Sequence, residues 1–460
     1  MVVESLKETL LSRGFNTDSL HSLLGPVQLD AVQASPSPRL LYLTRESAPL
    51  HTLVRLFLLG VPVPQSAAAA ALRPLPLRDL VRARVLKFTG DSAIARMRIA
   101  SYGDQMIAFD GPDQAKKRDF VPGPSDSSIF LTLFTIRRRF ASVLDLGAGC
   151  GVQSLWAAQH STAAWATDIN PRALEFVRFN AALNGIRAIR PRLGDAFEPV
   201  KRRRFDLILG NLPFVVGPKI RLTYRDNSRP LDSFAQEIVR DAPAHLSTGG
   251  FAQFLFQWVE LAGEPWRERV ANWFQGTGCD AWLIKTTSQT PDLYVEKWLN
   301  ETEPTSATAA RFAGWMKYLE RVRVTAIHTG AVTMRYSPAR RNWLRIDETS
   351  MRATAPLGDT ILRRFEATDY VSTLTDDHQV LRLRPKLALG VRIVRKYGEL
   401  CQLVLHTEFQ DTLLADVRVT HLDGLKTVRE LLKSTANTAS ARLLADVREA
   451  VERGFLDTTA

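Results

Sequence analysis

The spacing of hydrophobic positions changes character several times along the chain. Up to about residue 75 it is helical: Leu6, Leu10 and Leu11 share one face, and Leu50, Leu53, Val54, Phe57 and Leu58 share another before Gly60. The run Val61-Pro62-Val63-Pro64-Gln65-Ser66 breaks that helix. Ala67 to Leu72 starts another, which Pro74 and Pro76 stop. From Leu80 to Phe109 the period becomes two, with Val81 to Phe88 and Ala95 to Ile99 alternating around the turn signal Thr89-Gly90-Asp91. Helices followed by a hairpin predict a small accessory or winged-helix-like domain over residues 1–118.

A charged, Pro/Gly-rich joint from Asp110 to Ser128 leads into a strand-helix alternation. Val143 to Leu146 reads as a strand, Val152 to Ala158 as a helix, Ala164 to Thr167 as a strand, Pro171 to Leu183 as a helix and Phe205 to Leu209 as a strand. That spacing predicts an α/β fold with a parallel sheet and right-handed crossovers. Ala252 to Phe256, Ala281 to Lys285 and Val324 to Met334 are further strands able to complete the sheet. The polar, basic stretch Arg335 to Ser350 reads as a linker. Beyond it, Asp359 to Phe365, Leu425 to Ser434 and Ala439 to Gly454 are predicted helices around a strand-like Gln402 to His406. The domains expected are therefore 1–118, 119–338 and 350–460, the last winged-helix-like.

Composition narrows the class. No apolar run approaches the roughly 20 residues of a membrane span, and the N-terminus lacks a signal-peptide pattern, so a cytoplasmic protein is expected. The three cysteines, Cys150, Cys279 and Cys401, lie far apart without ligand-spaced histidines, which argues against zinc and against a disulfide framework. A formal charge of +12 favours a polyanionic partner such as RNA, or an acidic protein surface.

The chemistry concentrates at four consecutive strand ends. Val143 to Leu146 runs into Gly147-Ala148-Gly149-Cys150-Gly151, where glycines let the backbone turn sharply and approach a ligand. About twenty residues on, Thr167-Asp168-Ile169-Asn170-Pro171 places a carboxylate where it can accept from both hydroxyls of a ribose. Next come Gly194-Asp195-Ala196-Phe197, an acid beside an aromatic, suited to an adenine. The fourth end is Gly210-Asn211-Leu212-Pro213-Phe214.

In order and spacing these segments resemble the class I S-adenosylmethionine (SAM)-dependent methyltransferases, over about Phe120 to Tyr336. The resemblance implies a Rossmann-like core with a seven-stranded mixed sheet and SAM as cofactor. Asp145-x-Gly147-x-Gly149-x-Gly151 matches the motif cradling the methionine part, Asp168 with Asn170 the ribose position, and Asp195 with Ala196 the adenine position. A dinucleotide oxidoreductase more often shows Gly-x-Gly-x-x-Gly.

Asn211-Leu212-Pro213-Phe214 resembles the Asn-Pro-Pro-Tyr/Phe signature of methyltransferases acting on base amines and glutamine amides. There an asparagine oxygen and the next carbonyl accept the N–H bonds of a planar nitrogen, and the aromatic ring stacks on its plane. Leu212 departs from the signature's first proline, although some tRNA guanine-methylating enzymes are similar in carrying Asn-Leu-Pro. Ser127 and Ser128 fall where related glutamine and ribosomal RNA methyltransferases have a loop covering SAM. Past the fourth strand, Lys219, Arg221, Tyr224, Arg225, Asp226 and Arg229 form a basic rim suited to phosphates and base stacking. Between Arg187 and Arg229 there are eleven Lys/Arg against four Asp/Glu, including the tetrad Lys201-Arg202-Arg203-Arg204, which also reads as a solvated turn. The whole chain is similar to a group of bacterial, especially actinobacterial, methyltransferases whose small-domain core is flanked by helical and winged-helix-like domains.

The function expected is N-methylation of ribosomal or transfer RNA. A protein glutamine or peptide, a secondary metabolite, and a SAM- or RNA-binding protein without catalysis stay open as alternatives. Oligomeric state is not legible.

Overall fold

The computed structural model describes residues 2–25, 36–218, 223–224, 229–302, 308–349, 355–397, 400–406, 410–433 and 440–458. Its centre is an eight-stranded sheet. The strands are β1 (Phe140–Leu146), β2 (Ser161–Asp168), β3 (Ile189–Leu193), β4 (Phe205–Asn211), β5 (Leu246–Leu261), β6 (Cys279–Gln289), β7 (Val324–Tyr336) and β8 (Leu344–Glu348). Their spatial order is β8-β6-β7-β5-β4-β1-β2-β3. All neighbours are parallel except β7, which lies antiparallel between β5 and β6. The order runs outward from β1 to β3 and then reverses to β4. That switch point opens a crevice at the strand carboxyl ends, where open α/β sheets bind ligands.

The eighth strand comes from the segment expected to be a linker. Leu344 to Glu348 pairs in parallel with Ala281 to Lys285, and Ala281 N–H donates to the Trp343 carbonyl at 2.9 Å where the register begins. Its alternation was masked by charge: Arg345 and Asp347 pair with each other at 2.5 Å, and Asp347 also accepts from the Trp282 indole at 2.9 Å. Polar side chains on an edge strand satisfy one another rather than a core.

Helices α1 (Asp126–Phe134), α2 (Val152–Ala158), α3 (Pro171–Leu183), α4 (Ser233–Asp241), α5 (Trp266–Phe274), α6 (Pro291–Thr302) and α7 (Thr308–Arg321) accompany the sheet. The last two lie in the connection between β6 and β7. Two antiparallel neighbours need only a tight turn, so this helical hairpin is an addition to the sheet's needs.

The N-terminal segment does not separate from this core. Residues 1–132 and 138–348 form one compact unit. Leu6, Phe57, Ile107 and Phe109 share a continuous apolar cluster with Val152, Leu155 and Phe176 of α2 and α3. Asparagines complete the joint. The hairpin Arg98–Tyr102 and Gln105–Phe109 presents a free backbone edge, to which Asn180 answers with Ala108 N–H (2.7 Å) and Ala108 carbonyl (2.8 Å). Asn184 does the same for Met106 at 3.0 and 2.7 Å. The alternation expected from Val81 to Phe88 is only half strand: Leu77–Arg82 is a helix, and the chain reverses at Arg84, whose φ is +57°. Pro76 starts that helix and Leu80 buries in it, so local signals outweigh the period of two.

The second unit comprises residues 133–137 and 349–460. Helices Gly358–Thr373, Asp377–Arg382 and Ser440–Glu452 accompany a three-stranded antiparallel sheet of Val391–Tyr397, Leu400–His406 and Gln410–Asp416. Val380, Leu403, Leu405, Val447 and Phe455 make its core. Among the described residues no helix is long and apolar enough to cross a membrane.

Candidate active site

The glycine turn after β1 forms as expected. Gly147, Gly149 and Gly151 all have positive φ, at +71°, +55° and +90°. An added Cβ at Gly147 or Gly149 would meet nothing within 4 Å, so both border open space, whereas at Gly151 it would sit 3.2 Å from Val177. The first two glycines therefore serve a turn beside an accessible crevice, and the third serves helix packing as well. Gly147 and Ala148 both donate to the Thr167 carbonyl at 2.9 Å, which ties the turn to β2.

Asp145 stands beneath that turn rather than in the crevice. It is buried, and its Oδ2 accepts from Ser154 N–H at 2.8 Å and Ser154 Oγ at 2.5 Å, pinning the first turn of α2. Burial pushes its carboxyl up to about 7, against the opposing pull of those two bonds. Asp168 ends β2 half-buried, its Oδ2 accepting from Gly149 N–H at 2.9 Å and its Oδ1 from Asn170 N–H at 2.8 Å. Burial raises its pKa too. Each oxygen retains a second lone pair for a ligand hydroxyl. Asn170 Oδ1 caps α3 by accepting from Arg172 N–H (3.0 Å), and its Nδ2 donates to the Asp119 carbonyl (2.9 Å). These two bonds hold the Asp110 to Ser128 joint beside Asp168.

At the third strand end Asp195 is half-exposed and accepts from Arg229 Nη2 at 3.0 Å, while Arg229 Nε donates to Glu237 at 3.0 Å. Ala196 has φ +45°, a strained backbone for a residue with a side chain. Arg229 thus reaches from beyond β4 back to the acid after β3.

Asn211 closes β4. Its Nδ2 donates to Ser127 Oγ at 3.0 Å and Ser128 Oγ at 3.3 Å, while its buried Oδ1 has no partner among the described residues. The serines lie in the first turn of α1, with Ser125 Oγ accepting Ser128 N–H at 3.3 Å as the cap. Gln153 of α2 donates to the Ser128 carbonyl at 2.8 Å, bolting the serine turn to the glycine turn. Gln153 carries no motif signal in the sequence. Its position becomes meaningful only once α1 is packed.

Leu212 is buried, and Phe214 wedges between two apolar clusters, one under β4 and β5 and one against α6 and α7. A cavity of about 10 Å³ behind Pro213 and Phe214, lined also by Asp232 and Gln257, holds no more than a water. Val216 N–H donates to Tyr294 Oη at 2.8 Å, and Tyr294 Oη donates to Gln257 Oε1 at 2.8 Å. Gln257 Nε2 donates on to Thr329 at 3.0 Å. This buried chain of bonds fixes the segment after Phe214 to β5, α6 and β7.

Of the expected basic rim, Tyr224 makes an edge-on ring contact with Phe120 at 5.7 Å, and Arg229 pairs as above. Lys219, Arg221, Arg225 and Asp226 lie outside the described residues. His245 is a packing residue, stacked on Phe197 at 4.5 Å and bonded through Nδ1 to the Arg203 carbonyl at 3.2 Å. No group of three or more His, Cys, Asp or Glu among the described residues could hold a metal ion.

Comparison with known families agrees with this geometry. Residues 125–258 match the methyltransferase small domain, and residues 12–96 match a domain of unknown function, DUF7059. The ribosomal RNA small subunit methyltransferase C of Alcanivorax borkumensis is 28% identical over 142 residues, 28% of this chain and 40% of that protein. The release factor glutamine methyltransferase of Aquifex aeolicus is 36% identical over 107 residues, 22% of this chain and 38% of that protein. The ribosomal RNA small subunit methyltransferase C of Yersinia pestis is 34% identical over 128 residues, 27% of this chain and 33% of that protein. The chain thus spans two-fifths or less of the length of these relatives. The switch-point sheet, the glycine turn with its acids and the family match together make residues 125–258 a methyltransferase small domain with the Rossmann-like fold of the class I, SAM-dependent enzymes.

Proposed function

We propose that this chain transfers a methyl group from SAM to a planar amino or amide nitrogen, and that its substrate is RNA of the ribosomal or transfer class. The observation that carries the reading is Asn211, whose amide nitrogen is held by two serine hydroxyls while its buried oxygen is without a partner among the described residues. An unsatisfied buried acceptor is costly unless a ligand uses it.

The residues present fit the cofactor. Gly147 and Gly149 border open space and would take the methionine part; Asp168 would take the ribose hydroxyls, and Asp195 with the Ala196 backbone the adenine. Bound there, SAM supplies an electrophilic methyl group. Asn211 Oδ1 and the Leu212 carbonyl accept the two N–H bonds of the substrate nitrogen and so orient its lone pair. Phe214 packs against the planar group, and the buried Val215 and Val216 behind it keep water out. Asn211 to Phe214 contain no titratable side chain, so this segment orients rather than removes a proton.

RNA is favoured by the charge of +12 and by relatives named for ribosomal RNA methylation. A glutamine amide presents the same planar nitrogen, and one relative is named for that reaction. The test is to incubate labelled SAM and this protein with extract from cells lacking it, then treat with nuclease or protease. Label freed by nuclease alone supports the proposal. Label freed by protease alone moves the substrate to protein. Asp168→Ala should weaken SAM binding by at least about tenfold, whereas Asn211→Ala should lower turnover by about 10²-fold or more with SAM affinity kept. The reverse pattern would overturn the division of roles.

A further inference from the structure

The basic residues before and after β3 converge on one aromatic ring. Trp165 of β2 is a register partner of Arg190 in β3, and the Arg190 guanidinium carbon lies 4.7 Å from the centre of the indole. Arg203, from the turn before β4, comes to 5.1 Å of the same ring. Two guanidinium groups within about 5 Å of one ring centre stand no more than about 10 Å apart. Stacking fixes their planes and leaves the N–H donors at their rims free to bind.

Around them Arg187, Arg192, Lys201, Arg202 and Arg204 are all exposed. The nearby acids are engaged elsewhere: Asp195 is held by Arg229, and Glu198 lies 4.0 Å from Lys201. Arg204 is tied to the Leu246 carbonyl at 2.6 Å. Arg190, Arg192, Arg202 and Arg203 have no carboxylate partner among the described residues.

Charge on an edge strand also guards against pairing with another chain. That need would explain Arg190 and Arg192 but not Arg203, which belongs to no edge and still lands on Trp165. The row also leads somewhere. Arg190 and Arg192 share one face of β3, which ends at the exposed Leu193, two residues before Asp195 at the cofactor crevice.

We propose that the β3 edge is a docking surface for the phosphate backbone of single-stranded RNA, with Arg190 and Arg203 as its fixed contacts and Arg192 and Arg202 flanking them. The proposal rests on the RNA reading above and adds where the strand lies. Exposed guanidiniums without a carboxylate partner among the described residues are suited to the phosphates of one strand.

The test is fluorescence anisotropy of labelled oligouridylate with the full chain across a salt series. Each phosphate contact to a single strand contributes about 0.7 to the slope of log affinity against log salt, so R190Q/R203Q should reduce the slope by about 1.4 and lower affinity about tenfold at physiological salt. R78Q/R82Q removes the same formal charge from exposed arginines beside Asp79 and should leave the slope unchanged. Unaltered SAM affinity in both pairs checks that each still folds. An equal loss in both pairs, an unchanged slope in R190Q/R203Q, or tighter binding of polyglutamate than of oligouridylate would overturn the docking surface. Methyl transfer to RNA with an unchanged slope in R190Q/R203Q would sink this surface and leave the RNA substrate standing. Oligouridylate binding lost in that pair, with methyl label found only on protein, would sink the substrate and leave the surface.

Discussion

Removing one oxygen atom, in Tyr294→Phe, tests whether the acceptor segment is held in place from behind. Tyr294 is fully buried, and its hydroxyl both accepts Val216 N–H and donates to Gln257 Oε1, each at 2.8 Å. The ring still fills its space in the variant, so apolar packing is kept. Two buried polar groups lose a partner, at about 1–3 kcal/mol each. Gln257 keeps its bond to Thr329 and can turn its oxygen, so a total loss of about 2–4 kcal/mol is expected in denaturant unfolding. Val216 lies five residues after Asn211, and a shift of about 1 Å at a reacting group costs on the order of 10²-fold in rate. Turnover on the methyl-accepting fraction should therefore fall by about tenfold or more, while SAM affinity, which depends on the other side of Asn211, stays within about twofold. Leu299→Ala, a buried change on the same helix, supplies the comparison: it costs about 2–5 kcal/mol without touching the tether. Equal turnover losses in the two variants, or none in Tyr294→Phe, would reduce Tyr294 to a packing residue and refute the positioning argument.

Asp145 holds its proton more tightly when folded, with its carboxyl pushed from an ordinary value near 3.8 up to about 7. The folded state then binds the extra proton between those values, so this group's contribution to stability falls as pH rises from about 4 to about 7 and is constant above. Relative to Asp145→Asn, the wild type should lose stability over that window in unfolding titrations, and parallel curves throughout would contradict it. Gly151→Ala should destabilise by about 1–2 kcal/mol, because φ is +90° and the new methyl meets Val177, whereas Gly149→Ala should hurt SAM affinity more than stability; calorimetry separates the two. Asp280→Ala should cost about 3–5 kcal/mol, since it removes the buried carboxylate to which Arg335 and Arg340 are both bonded. A loss below about 1 kcal/mol in denaturant unfolding would show that solvent already shares the burden.

The strands of the core were legible because parallel strands covered on both faces read as unbroken apolar runs, as in Val143-Leu144 and Leu207-Ile208-Leu209. What escaped was structure made by polar side chains. Leu344 to Glu348 hides a strand behind Arg345 and Asp347, which no apolar period marks. Asn180 and Asn184 stand in for a neighbouring strand, and nothing in their own helix announces it, because the edge they complete lies more than seventy residues earlier. For the same reason the boundary expected near residue 118 does not divide the unit: apolar residues on both sides of it share one cluster.

The site divides along the same line. Its proposed cofactor half is local: Gly147, Gly149, Asp168 and Asp195 each lie at or within a few residues of the end of their strand, which is the spacing that the sequence shows. Its acceptor half is assembled over distance. In the proposed acceptor half, Asn211 is bonded to Ser127 and Ser128, which lie more than eighty positions away, and the segment after it is bonded to Tyr294, about as far in the other direction. A short motif therefore specifies what the acceptor groups are and leaves their aim to packing. This bears on Leu212: the rigidity that a proline supplies locally elsewhere is here supplied by bonds from α1 on one side and α6 on the other. If that substitution of distant support for local stiffness is correct, Leu212→Pro should change turnover little in the intact chain and should restore turnover in Tyr294→Phe. Turnover that stays low in the double variant would mean that the tether does more than stiffen the motif.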